Sequence, residues 1–222
     1  MSHGKDSFDK EYYKRFFDKF TKKEFEMYCN WSEGWINFLS KYLPFKKGKG
    51  KKLLEIGSSL GYFSYIFANR GFDVTCSDVS EYIVKKASKF QKDVSFKVVN
   101  VEREIKLGQK FDYVVGFEVL EHLNNPQKAI LNIYSNLKKG GKFVFSTPFP
   151  TKRSLSDPTH INVHEKQWWL KIGKEVGFKN RKVVHGTFVP FLYRISKVFS
   201  FGLPIKTNLP LVNSTAFFIF KK

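Results

Sequence analysis

Three side chains that could carry out chemistry stand close together at Glu118, Glu121 and His122. If Glu118 begins a helical turn, the spacing i, i+3 and i+4 places all three on one side of that turn. Two carboxylates and an imidazole suit Mg²⁺, Mn²⁺ or a similar divalent ion. Without a metal, His122 could act as a general base, because an imidazole is ordinarily neutral at pH 7. In a third interpretation Glu118 lines a pocket, Glu121 orients the histidine, and the histidine is structural.

A second group, Glu55, Gly57 and Gly61, begins at the end of the short apolar run Leu53–Ile56, which has the length of a buried strand. A helix is predicted after the second glycine. Glycine suits a loop that a ligand must approach closely and whose torsions a β-carbon resists. The next predicted strand ends at Asp78, 21 positions after Gly57, close to the spacing at which an acid meets a ribose hydroxyl pair. The order strand, glycine loop, helix, strand, acid predicts a nucleotide-binding βαβ unit.

These residues resemble the class I S-adenosylmethionine (SAM)-dependent methyltransferases. Glu55-x-Gly57-x-x-x-Gly61 is similar to that family's first motif, and Asp78 to its ribose-binding acid. The spacing is not the G-x-G-x-x-G of dinucleotide dehydrogenases, the rival interpretation. Ser59 stands where a third glycine is common. The resemblance implies SAM as cofactor, and the residues expected to bind it are Glu55, Gly57, Ser59, Gly61, Asp78, Val79, Asn100, Val101 and Phe117.

At Asn100 many relatives carry an acid that contacts the adenine amino group. An asparagine side-chain oxygen can accept the same hydrogen bond. The double glycine at Gly140 and Gly141, between a predicted helix and a predicted strand, also matches the family.

We therefore predict an α/β fold: a Rossmann-like, seven-stranded, mostly parallel sheet flanked by helices, with the last strand antiparallel. A single domain is expected over residues 1–222, with an N-terminal helical cap over 1–45 and a core over 51–222. In the cap, one or two helices are predicted before Tyr28 and another with Ser32 as its N-cap. The cap aromatics that could touch cofactor or substrate are Tyr12, Tyr13, Trp31 and Trp35, although such a stripe is usually core.

The pattern E-x-x-E-H resembles two groups of metal-dependent methyltransferases. One acts on polyprenyl-phenol precursors of quinones, and the other methylates the terminal 2′-hydroxyl of small RNAs. Both supply a further histidine from beyond the fifth strand, here His160 or His164. The resemblance implies a Mg²⁺ or Mn²⁺ site formed by Glu118, Glu121, His122 and His160. His122 and Glu118 are the predicted catalytic residues, and an oxygen is the preferred methyl acceptor.

The formal charge is +19, from 39 Lys+Arg against 20 Asp+Glu. Such a field attracts nucleic acid, anionic lipid or phosphorylated substrates, although a general preference for lysine would produce it too. The lysines are scattered, without a compact arginine-rich block. We therefore favour a small-molecule, sugar or lipid-linked acceptor over RNA. A non-catalytic, partner-binding relative is the third alternative, and the intact Gly57, Gly61 and Asp78 argue against it.

Residues 186–213 form a long connection between the last two predicted strands. Pro190 to Phe201 predicts a basic amphipathic helix with an apolar face of Phe191, Leu192, Ile195, Val198 and Phe199. That face could be a lid over the acceptor pocket or a contact with an anionic membrane surface. Two cysteines and no apolar run of transmembrane length indicate a cytoplasmic protein, with peripheral membrane contact as an addition.

Overall fold

A mixed sheet forms the centre of the computed structural model, which describes residue 8 and residues 10–17, 20–91, 94–189, 192–207 and 213–222. The strand order is β3-β2-β1-β4-β5-β8-β6-β7. The strands are β1 Lys52–Ile56, β2 Asp73–Asp78, β3 Ser95–Val98, β4 Phe111–Phe117, β5 Leu137–Thr147, β6 Asn180–Phe188, β7 Gly202–Leu203 and β8 Asn213–Lys221.

The first five strands pair in parallel, and β8 lies antiparallel between β5 and β6. The predicted α/β class, the mostly parallel sheet and the antiparallel last strand are therefore confirmed. The described part of the chain contains eight strands rather than the predicted seven. The additional strand is β7, which lies inside the predicted insertion and pairs with Thr187 and Phe188 at the end of β6.

Helices lie on both faces of the sheet. They are α1 Lys10–Phe17, α2 Lys22–Leu39, α3 Tyr62–Asn69, α4 Glu81–Phe90, α5 Pro126–Asn136, α6 Lys152–Leu155 and α7 Lys166–Val176. The prediction that Ser32 caps a helix is wrong, because α2 runs through it and buries it. The N-cap is instead Thr21, eleven residues earlier, where a capping box with Glu24 satisfies the N–H groups of both residues.

The amphipathic helix predicted over residues 190–201 is also absent from the described residues of that segment. Leu192–Arg194 and Lys197–Phe199 are separate 3₁₀ turns. Local hydrogen bonds compete with a continuous helix: the Val198 N–H donates to Ser196 Oγ, and the Tyr193 carbonyl accepts from Asn30 on α2. Phe191 lies outside the described residues.

Alternate residues of the central strands supply two apolar cores, one on each face of the sheet. On the face covered by α2, α3 and α4, the Trp35 ring lies 4.9 Å from Phe217. The other face is covered by α5 and α7, and Trp169 of α7 is fully buried there. The two cores hold β1, β2 and β4 side by side, so that the loops at their carboxyl ends meet at one edge of the sheet. Among the described helices, none combines the length and apolar character needed to cross a bilayer.

Candidate active site

The loop after β1 adopts the left-handed backbone conformation at three positions: φ is 60° at Gly57, 48° at Ser59 and 77° at Gly61. A Cβ at Gly57 would lie 2.5 Å from Val119 Cγ2, so the loop requires glycine there for space as well as for torsion. Ser59 adopts a conformation that serine rarely takes, which is consistent with glycine being common at this position in the family. Gly61 is the N-cap of α3.

Glu55, in β1, fixes the start of that helix. Its buried carboxylate accepts hydrogen bonds from the Ser64 N–H at 2.8 Å and from the Ser64 hydroxyl. Burial raises the pKa of Glu55 to about 8, although the bonds from Ser64 act in the opposite direction. Glu55 therefore links the end of β1 to the first turn of α3, with the glycine loop between them.

Asp78, the last residue of β2, points its carboxylate at the same loop. It accepts the Ser59 N–H and the Ser80 N–H, each at 3.0 Å. The Tyr13 hydroxyl, from α1, lies 3.1 and 3.2 Å from the two carboxylate oxygens. Burial raises the pKa of Asp78 above its ordinary value, and these hydrogen bonds partly offset that effect. Tyr13 therefore contacts the same acid, Asp78, that the resemblance predicts to bind the ribose.

A cavity of about 460 Å³ opens between these elements and α1. Eight of the nine residues expected to bind the cofactor line it, and Gly61 does not. Its aromatic lining was only partly expected: Tyr12 and Tyr13 belong to it, whereas Trp31 and Trp35 do not. Aromatic residues missed by the sequence argument are Phe8, Phe17, Tyr28, Tyr62 and Phe63. A stripe of aromatics at helical spacing was the available signal, but spacing does not distinguish core from cavity.

Three polar atoms of the cavity wall are buried without a hydrogen-bond partner in the described structure: Ser58 Oγ, Ser59 Oγ and Tyr62 OH. Buried polar groups are normally satisfied, so these atoms indicate that a polar ligand belongs here. An adenosyl group carries hydroxyls and ring nitrogens that could meet them. Asn100 Oδ1 already accepts the Glu102 N–H at 2.9 Å, which occupies part of its acceptor capacity but leaves a second lone pair. The residues present therefore fit SAM.

Glu118 follows β4 and is not part of a helical turn, contrary to the sequence argument. Its φ is 54°, and the 3₁₀ turn Leu120–His122 begins two residues later. Its Oε1 atom accepts hydrogen bonds from Ser146 Oγ at 2.6 Å and Thr215 Oγ1 at 3.2 Å. Burial raises the pKa of the Glu118 carboxyl. Because β5 and β8 supply these two donors, the antiparallel strand takes part in positioning this acid.

Glu121, His122 and His160 do come together. Each offers one ligand atom, and the three atoms lie within 4.8 Å of one another. Neither carboxyl oxygen of the fully buried Glu121 accepts a hydrogen bond from another described residue. Burial, with the nearby Glu118 carboxyl, raises the pKa of Glu121 well above its ordinary value. The alternative histidine, His164, instead stacks on Trp168 with ring centroids 3.7 Å apart.

Main-chain carbonyls fix the two imidazoles of this cluster. His122 Nδ1 lies 2.9 Å from the Thr159 carbonyl, and His160 Nδ1 lies 2.9 Å from the Ser154 carbonyl. A carbonyl only accepts, so in the neutral rings Nδ1 carries the proton and Nε2 the lone pair. A metal-binding histidine is commonly oriented by such a second hydrogen bond, and a general base also needs this tautomer.

A family model, the methyltransferase domain, matches residues 27–183, which include the glycine loop, Asp78 and the Glu121 cluster. The ubiquinone biosynthesis O-methyltransferase of Coxiella burnetii is 35% identical over 103 residues, 45% of this chain and 44% of that protein. The protein of the same name from Rickettsia akari is 29% identical over 108 residues, 47% and 43% of the two chains. The chain thus matches less than half the length of these curated relatives.

Among solved structures, magnesium protoporphyrin IX methyltransferase from Synechocystis PCC 6803, crystallised with bound SAM, has the same fold. The TM-score is 0.63 at 16% sequence identity, over 98% of this chain and 94% of that one. At this identity the likeness establishes the fold alone. The residue roles given above stay predictions.

Proposed function

The chain belongs to the methyltransferase domain family, and we propose that it transfers a methyl group from SAM to an oxygen of a small-molecule acceptor. The observation that carries the proposal is the cavity. It joins the left-handed glycine loop, the buried acid Asp78 and unsatisfied polar atoms to His122, the member of the Glu121 cluster that lines it. The ubiquinone O-methyltransferases among the relatives support an oxygen as acceptor atom.

Methyl transfer from a sulfonium is a direct displacement, so the protein mainly orients the reactants and excludes water. The aromatic side chains that α1 contributes to the cavity wall help to exclude water. A hydroxyl acceptor must also lose its proton, and His122 is suited to take it through Nε2. A Mg²⁺ or Mn²⁺ ion bound by Glu121, His122 and His160 would supply Lewis acidity to the acceptor oxygen. Glu118, held by Ser146 and Thr215, is the second predicted catalytic residue.

A lipid-linked acceptor and an anionic membrane surface belong to this proposal as its finer part. The cavity wall is mostly aromatic and aliphatic, which suits a phenol with an apolar substituent. Cytoplasmic location with peripheral membrane contact would agree with such an acceptor. RNA 2′-O-methylation is the second candidate, and the +19 charge favours it.

Calorimetry with SAM tests the cofactor assignment directly. Asp78→Ala should weaken SAM binding by about 1–3 kcal/mol, because charge-assisted hydrogen bonds to the ribose are lost. Asp73→Ala is the matched control, since this acid begins the same strand and is exposed. If the folded Asp78→Ala variant and the wild type bind SAM with equal affinity, the assignment of this cavity as a SAM site is wrong. Incubation with labelled SAM and a native cell extract would then identify the acceptor.

A further inference from the structure

Half of the twelve exposed large apolar side chains in the described structure lie within eleven consecutive residues. They are Ile195, Val198, Phe199, Phe201, Leu203 and Ile205. Ile195 is 74% exposed and Val198 is 75% exposed. Soluble monomers rarely expose a contiguous apolar patch of this kind without a binding partner. We call residues 194–206 the apolar segment.

The inward side of the apolar segment is small and polar, which is the reverse of an ordinary surface loop. Ser200 is buried against α2, where a Cβ on Gly34 would lie 2.1 Å from its hydroxyl oxygen. Gly202 packs against Phe38. The segment is therefore anchored to the protein by its short residues, and its long apolar side chains point outward.

The charge along the apolar segment itself is of one sign. After Glu175 the sequence contains eight Lys and Arg residues and no Asp or Glu. Arg194, Lys197 and Lys206 belong to the segment itself. The neighbouring α2 carries three acids: Glu33 pairs with Arg70, Glu26 lies 4.0 Å from Lys22, and Glu24 belongs to the capping box. An apolar surface with a cationic rim is complementary to a bilayer that carries anionic headgroups.

We propose that the apolar segment docks on an anionic lipid bilayer, where it would bring the cavity to a lipid-linked acceptor. The proposal about the acceptor rests on the proposed function. The segment adjoins the cavity through α2. Tyr193, the residue before the segment, packs on Trp31 of α2 with ring centroids 5.1 Å apart, and Tyr28, one turn earlier on the same face of that helix, lines the cavity.

Vesicle co-sedimentation of the full chain tests the docking. We expect the wild type to pellet with vesicles of phosphatidylglycerol and phosphatidylcholine at about 50 mM salt, and much less with phosphatidylcholine alone. The double variant Ile195→Ser/Val198→Ser should lower the partition coefficient by about tenfold or more, because two aliphatic side chains no longer enter the interface. Leu131→Ser, at an exposed leucine on α5, is the matched control and should pellet like the wild type.

Each other outcome overturns the docking proposal. Wild type that stays in the supernatant with anionic vesicles at low salt shows that the segment does not bind lipid. A double variant that pellets like the wild type shows that charge alone acts, without the apolar side chains. A wild-type dimer on gel filtration that the double variant converts to monomer assigns the surface to a second copy of the chain.

Failure of the docking is distinguishable from failure of the proposed function. SAM calorimetry in solution, without vesicles, reports on the cavity alone, and the double variant should bind SAM like the wild type. A protein that binds SAM but no vesicles keeps the methyltransferase assignment and loses the membrane surface. A protein that binds vesicles but no SAM keeps the membrane surface and loses the methyltransferase assignment.

Discussion

Both carboxyl oxygens of Glu121 are buried, and no residue in the described part of the chain donates a hydrogen bond to them. An unsatisfied buried polar group costs about 1–3 kcal/mol, so the arrangement persists only if something offsets that cost. Protonation is one answer, since burial raises the pKa of this carboxyl. A cation bound between Glu121, His122 and His160 is the other, and it would use the lone pairs that the histidine tautomers leave on Nε2.

Metal binding by this cluster is a prediction at the residue scale. Chelation should lower methyl transfer and added Mn²⁺ should restore it, and Mn²⁺ should bind measurably in calorimetry. Glu121→Gln should weaken Mn²⁺ binding about 10- to 100-fold, because a neutral amide is a poorer ligand. Glu104→Gln, at an exposed acid paired with Lys106, is the control. Activity that is indifferent to chelation but lost in His122→Ala would leave His122 as a base without metal.

The raised pKa of Glu55 leads to a second prediction at the residue scale, which concerns how folding stability depends on pH. The folded-state pKa of about 8 lies above the ordinary value of 4.5, so between these values the native protein holds more protons than the unfolded chain. Stability must then fall as pH rises through this interval, by at most about 1.4 kcal/mol per pH unit from this group. Glu55→Gln cannot titrate and should gain stability relative to the wild type between pH 6 and pH 8.

Thermal unfolding of the two proteins at several pH values measures that difference, and the other buried acids cancel because both proteins contain them. Glu26→Gln, at an exposed acid, should run parallel to the wild type. A constant difference between Glu55→Gln and the wild type over this range would contradict a raised pKa.

At the scale of elements, α1 closes the cavity by means of Tyr13. Asp78 accepts the N–H groups of Ser59 and Ser80, and the Tyr13 hydroxyl lies between its two oxygens, so fewer than the two acceptor sites that a ribose hydroxyl pair needs are left. A ribose that binds Asp78 must displace the tyrosine. Tyr13→Phe should therefore bind SAM about fivefold more tightly, since the competing bond is worth about 1 kcal/mol. Tyr12→Phe, the neighbouring cavity tyrosine, is the control; weaker SAM binding by Tyr13→Phe would instead make Tyr13 a cofactor contact.

The parts of the fold that the sequence predicted well are those in which local pattern and burial agree. Leu53, Leu54 and Ile56 are apolar because β1 is covered on both faces, and the loop glycines are required by torsion. Where tertiary contacts override local pattern, prediction was wrong. The spacing over residues 190–201 fits a helix, but α2 takes the Tyr193 carbonyl and β6 pairs with β7.

The candidate site shows the same limit. Asp78 follows from the spacing along the chain, but Tyr13 reaches it from 65 residues earlier, a contact that spacing does not reveal. Glu118 was expected on a helical turn from its i, i+3 relation to Glu121. Its left-handed backbone turns it instead toward Ser146 and Thr215, and the pairing of β5 with β8 supplies both.

At the scale of the whole molecule, the basic side chains lie outside the cavity. The chain carries +19, yet the described lining of the cavity includes no Lys or Arg and four acids. The acids are Glu55, Asp78, Glu102 and Glu118. Four lysines between positions 46 and 51 line a different depression, beside the start of β1 and so at the opposite end of the strand from the glycine loop. A phosphate backbone would be attracted to the molecule but not to this cavity.

We therefore expect RNA to bind without being the methyl acceptor. A short RNA should shift in a mobility assay at about 50 mM salt and should be released at about 200 mM, because phosphate neutralisation alone holds it. It should leave SAM affinity unchanged and should take no label from labelled SAM. RNA labelling that persists at about 200 mM salt and disappears in His122→Ala would contradict this, and would move the assignment from a small-molecule acceptor to the 2′-hydroxyl of RNA.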